Sequence, residues 1–157
     1  MKPKLWKLLR NYYLKGIDNL KEISYIECIK KENMSTRSRI AIENESGIVN
    51  SIYCHFDGYV DGVGKTLFNH YDKEKLQKLI ELGDISSLGE STEDTVAYCR
   101  DRGEDLHSTS YLKVEHLFEL GWESGVEYIY CLNRDGVWLV NEYYSSNVEI
   151  LKEKLEE

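Results

Sequence analysis

Two β-hairpin signals, one near each end of the body of the chain, constrain its fold more than any other feature. In the first, Arg39–Glu43 and Ile48–Phe56 are apolar-rich runs separated by the turn-forming stretch Asn44-Glu45-Ser46-Gly47. In the second, Tyr128–Leu132 and Val137–Val140 flank Asn133-Arg134-Asp135-Gly136, whose Asp-Gly pair suits a tight reversal. Helical patterns lie between them. Val63, Leu67 and Tyr71 recur at i, i+4 and i+8. Lys73–Leu82 is clearer still, with Leu76, Leu79 and Ile80 apolar and Gly83 as the stop. A lone strand over Thr95–Cys99, a short helix over Lys113–Gly121 and a charged helix over Val148–Leu155 complete the order β-β-α-α-β-α-β-β-α. The expectation is a single α+β domain over residues 34–157, a mostly antiparallel sheet of about five strands with helices on one face.

Residues 1–33 have a different texture. Leu5, Leu8, Leu9, Tyr12 and Tyr13 fall on one helical stripe, flanked by Lys4, Lys7 and Lys15, which predicts a basic amphipathic helical extension. The charge divides accordingly: net +4 over residues 1–33 and net −12 over residues 34–157, which together make −8. A body at −12 repels phosphate backbones, which argues against direct nucleic-acid binding. It favours a basic partner surface instead. The extension is expected to dock on the acidic body, on a second copy of it or on a partner. No apolar run is long enough to span a bilayer, and the leading lysines enter no unbroken apolar stretch, so the expected location is the cytoplasm.

The polar motifs narrow the chemistry. Cys28, Cys54, Cys99 and Cys131 form no close pair, and the expectation is reduced, buried thiols with no metal and no cofactor. Gly58 through Gly64-Lys65-Thr66 follows a strand and opens a helix, as a phosphate-binding loop does. Five residues rather than four separate Gly58 from Gly64, and Asp57 and Asp61 sit within the loop. No nucleophile elbow is present, so no catalytic residue is assigned. His55, Asp57, Lys65, Arg100 and Arg102 form one candidate set: three cations to hold a phosphate and an imidazole for acid–base work, the pattern of a nucleotide-binding protein or a weak phosphoester hydrolase. The aromatic load, twelve Tyr with three Trp and three Phe, suits both strands and interfaces.

Six segments taken in order resemble a small protein family carried by bacteriophages and prophages. They are Met34-Ser35-Thr36-Arg37-Ser38-Arg39-Ile40-Ala41-Ile42-Glu43, Tyr53-Cys54-His55-Phe56-Asp57-Gly58-Tyr59, Gly64-Lys65-Thr66-Leu67, Leu82-Gly83-Asp84-Ile85-Ser86-Ser87-Leu88-Gly89, Arg100-Asp101-Arg102-Gly103-Glu104 and Asp135-Gly136-Val137-Trp138. The resemblance covers residues 34–140 and implies a context rather than an activity: small phage accessory proteins bind and redirect host machinery. The expected function is therefore a non-enzymatic inhibitor of a host protein, most concretely an anti-CRISPR or other anti-defence protein facing a nucleic-acid-binding effector. Its acidic, Tyr-rich contact surface would comprise Asp57, Tyr59, Asp61, Asp101, Glu104 and Asp105.

Overall fold

A computed structural model describes residues 35–157 of the chain; the basic extension expected over residues 1–33 lies outside the described residues. Eight strands form one sheet: β1 (Ser38–Glu43), β2 (Val49–Cys54), β3 (Ile85–Ser87), β4 (Val96–Ala97), β5 (Thr109–Tyr111), β6 (Tyr128–Leu132), β7 (Trp138–Glu142) and β8 (Glu149–Ile150). Their order is β4-β3-β2-β1-β6-β7-β8, with β5 also paired to β2. Both predicted hairpins form, β1–β2 and β6–β7, and each is antiparallel. The first turn is built by Asn44, whose side-chain oxygen accepts from the backbone N–H groups of Ser46 and Ile48. In the second, the Asn133 side chain accepts from Val137 N–H in the same way.

β1 lies at the centre because it joins the hairpins, antiparallel to β2 and parallel to β6. The sheet is mostly antiparallel, as expected, but it has eight strands rather than about five. The extra strands are two or three residues long, too short to show an alternating pattern in sequence.

Among the described residues five α-helices accompany the sheet: α1 (Lys65–His70), α2 (Lys73–Glu81), α3 (Tyr98–Arg102), α4 (Val114–Leu120) and α5 (Leu151–Leu155). They do not lie on one face. Side chains alternate along β1, so Ile40 and Ile42 enter a core with Leu67, Leu76, Leu79, Tyr130 and Leu151, from α1, α2, β6 and α5. Ala41 enters a second core with Val49, Leu117, Ile129 and Cys131, where Leu117 comes from α4. The sequence of α4 presents a single fully covered apolar residue, which is why its place on the opposite face was not legible.

α2 is the element whose sequence dictates it best. Asp72 caps it by accepting from Lys75 N–H at 2.8 Å, and Leu76, Leu79 and Ile80 are its buried stripe. Gly83 follows at φ +74, a conformation that stops a helix and favours glycine. The expected helix over Val63–His70 starts as a π-turn, Val60–Gly64, before α1. The expected strand over Thr95–Cys99 shortens to β4 and gives way to α3, so the charged run Arg100–Arg102 is helical.

Candidate functional site

On the α4 side of the sheet a surface depression opens, about 580 Å³ in volume. Its floor comes from the sheet. Arg39 and Tyr53 face one another across the β1–β2 pair, and His55 lies two residues beyond Tyr53 in the same direction. Its wall comes from the segment after α3 (Glu104, Asp105, His107, Ser108 and Thr109) and from the turn after α4 (Glu123 and Ser124). Asp84 closes the remaining side.

Asp84 is the node of this construction. The outer edge of β2 is paired with β5 at Val49–Ser51 and with β3 at Cys54, which leaves a gap between them. The Asp84 carboxylate fills it by accepting from Tyr53 N–H at 2.8 Å. The Asp84 backbone N–H donates to His107 O at 2.8 Å, and its carbonyl accepts from Tyr98 N–H at 3.2 Å. Three strands of chain thus meet at one residue. Burial pushes the Asp84 carboxyl above its ordinary range, against the bond from Tyr53 N–H and the charges of Arg39 and His107. Burial also raises the Tyr53 phenol to about 12, so it is a neutral hydroxyl at physiological pH. Tyr53 Oη and His55 Nδ1 share a hydrogen bond of 2.8 Å.

Arg39 is 5% exposed. Its Nε donates to Gly121 O at 2.9 Å and its Nη1 to Ser51 Oγ at 3.2 Å, so the guanidinium ties β1, β2 and the end of α4 together. No described carboxylate lies within ion-pair distance of it. Nη2 makes no hydrogen bond among the described residues, and it is not one of the polar atoms sealed from solvent. Arg39 is one of the residues that line the cavity.

The residues expected to hold a phosphate do not converge. His55 lines the cavity. Asp57 is exposed in a tight corner at φ +56, where its carbonyl accepts from Val63 N–H. Lys65 lies at a separate shallow depression of about 170 Å³ with Asp61 and Lys152. Gly64 precedes it for packing rather than for phosphate: a Cβ there would stand 3.0 Å from the Tyr130 ring. Arg100 is consumed locally, donating to Asp101, Thr92 O and Thr95 O. Arg102 donates to Ser86 Oγ at 3.1 Å and lies over the Tyr98 ring at 5.0 Å.

Of the expected contact residues, Glu104 and Asp105 are on the cavity wall, within an exposed run from Gly103 to Ser110. Tyr59 is exposed elsewhere, beside the Asp57 corner. Asp101 is structural. It accepts from Ala97 N–H at 2.7 Å, and the bond from Arg100 lowers its carboxyl to about 2.

Arg39, Tyr53, Asp84, His107 and Glu123 were not legible as site residues. The one sequence signal was Arg39 and Glu43 on the same strand face as Ala41, a face that α4 covers. Cys54 and Cys131 are buried, and burial raises each thiol to about 12. Among the described residues no group of three or more His, Cys, Asp or Glu is placed to hold a metal ion, and no helix is long and apolar enough to cross a membrane. Comparisons of the chain with protein-family models, with curated proteins and with solved structures return no match.

Proposed function

We propose that the chain is an accessory protein of a bacteriophage or other mobile element that binds and inhibits a host protein in the cytoplasm, without catalysing a reaction. The host factor is a nucleic-acid-binding defence effector, with a CRISPR nuclease as the most concrete case. The observation that carries this reading is the convergence of Asp84, Glu104, Asp105 and Glu123 around one open depression, on a body of net charge −12. Glu104 and Asp105 precede Leu106, itself 60% exposed, so an apolar side chain stands next to the acidic pair in sequence. Such a surface suits a basic channel that otherwise takes a phosphate backbone. The dispersal of Lys65, Arg100 and Arg102 favours the partner reading over a phosphoester site.

The test is phage plating on hosts that each carry one defined defence system, with and without the chain expressed. Restored plating on one of these hosts is expected, together with loss of nucleic-acid binding by the purified effector. The double variant Glu104→Lys, Asp105→Lys places two cations on exposed positions and should abolish both effects while leaving the circular dichroism spectrum unchanged. Unrestored plating on every host, or a double variant as active as the parent, would overturn the reading.

A further inference from the structure

The cavity holds charges that neither a simple cation nor a polyanion can satisfy. At its deep end is Arg39, 5% exposed, permanently ionised and without a close carboxylate among the described residues. Gly121 O and Ser51 Oγ take two of its donors, which makes its burial tolerable, and Nη2, with no described partner, is left to donate to an anion. Towards solvent stand the carboxylates of Glu104, Asp105 and Glu123, all exposed, with Asp84 half-buried between the two ends. A diphosphate or triphosphate reaching Arg39 would bring several negative charges past these four carboxylates. A plain amine would satisfy the rim and leave Arg39 facing another cation.

We infer that the cavity binds a small zwitterion of the amino-acid class, its carboxylate held by Arg39 and its ammonium group by the carboxylates of the outer wall. The volume of about 580 Å³ accommodates a free amino acid or a short peptide, within the range of roughly 300–1,000 Å³ usual for small-molecule sites. Half-buried Tyr53, whose Oη is bonded to His55 Nδ1, and the exposed Ser108 and Thr109 add further polar groups to the lining. The inference shares the outer carboxylates with the partner reading and goes beyond it through Arg39, which has no part in the outer surface.

The full chain is titrated by calorimetry and by thermal melting with the proteinogenic L-amino acids and their dipeptides, and then with the N-acetyl and amide derivatives of whatever binds. At least one free zwitterion should raise the melting temperature. Acetylation, which removes the cation, and amidation, which removes the anion, should each weaken binding by about tenfold or more. The exposed variant Glu104→Gln, Asp105→Asn should keep its own melting temperature and bind the zwitterion less tightly. Arg39→Lys should bind more weakly still, and its folding is checked by circular dichroism, since Arg39 also braces Gly121. If no amino acid or dipeptide binds, or if the blocked derivatives or acetate bind as tightly as the parent zwitterion, the inference is wrong. A Glu104→Gln, Asp105→Asn variant that keeps full affinity would also overturn it. None of these outcomes bears on phage plating, so the two readings fail separately.

Discussion

At the scale of single residues, the construction depends most on Asp84. Its carboxylate supplies the acceptor that a neighbouring strand would normally give to Tyr53 N–H. Asp84→Ala strands that donor and should cost about 1–3 kcal/mol in urea unfolding. Asp84→Asn keeps an oxygen at the same place and should cost far less. The two variants also differ from the parent in pH dependence. Burial raises the folded-state value of Asp84 above 3.8, so the parent holds this proton more tightly when folded. The contribution of the group to stability is therefore present at low pH and falls as pH rises from 3.8 through the folded value. Asp84→Asn has no such decline. Its stability relative to the parent should rise across that window and then level off, as read from unfolding midpoints between about pH 3 and 7. Residue identity alone did not reveal this role, because an Asp after a helix-stopping glycine reads as ordinary turn chemistry. What makes it special is the unpaired strand edge, which only the register of β3 and β5 defines.

At the scale of elements, legibility followed length and period. The two hairpins and α2 were readable because turn residues, alternation and a 3.6-residue stripe each act within one segment. β3, β5 and β8 were not, because two or three residues cannot show a period, and they pair only because longer neighbours present an edge, whereas β4 was read as a longer strand than it is. The candidate site shares this fate. His55, Glu104 and Asp105 stood out as polar residues in sequence, whereas Arg39 on β1 and Glu123 after α4 reach them only through pairing and helix docking. That docking is itself sparse. α4 has no side-chain cap and buries Leu117 alone, supported by the Trp122 indole N–H donating to Phe118 O. Leu117→Ala should cost about 2–5 kcal/mol, measured by urea unfolding. Because Gly121 O receives the Arg39 Nε–H bond, the same substitution should loosen the cavity wall and speed amide hydrogen exchange in the segment around Gly121 more than in α2.

At the scale of the whole described body, charge and topology act together. Two cores lie on opposite sides of the sheet, and β1 feeds both through alternate residues. Arg39 and Glu43 flank Ala41 on the cavity side and are 5% and 8% exposed, so the sheet tolerates two buried charges near its centre because each is bound by backbone: Arg39 to Gly121 O, and Glu43 by Arg134 N–H at 3.0 Å. The acidic excess meanwhile stays outside, where it costs little and remains available to a cationic surface.

The shortness of β4 and β8 carries a final consequence. A sheet normally ends in a row of unpaired N–H and C=O groups that another chain can copy, the route by which β proteins join edge to edge into aggregates. Here the outermost strands are two residues long, and β5, which also ends a pairing, has only three. No described edge is long enough to template an added strand. The partner proposed above would therefore engage this body through side chains and loop surface rather than by strand addition, with the charge and shape of the wall around the cavity as the surface to recognise. The same bluntness should keep a Tyr-rich sheet from assembling with copies of itself even when the chain is abundant.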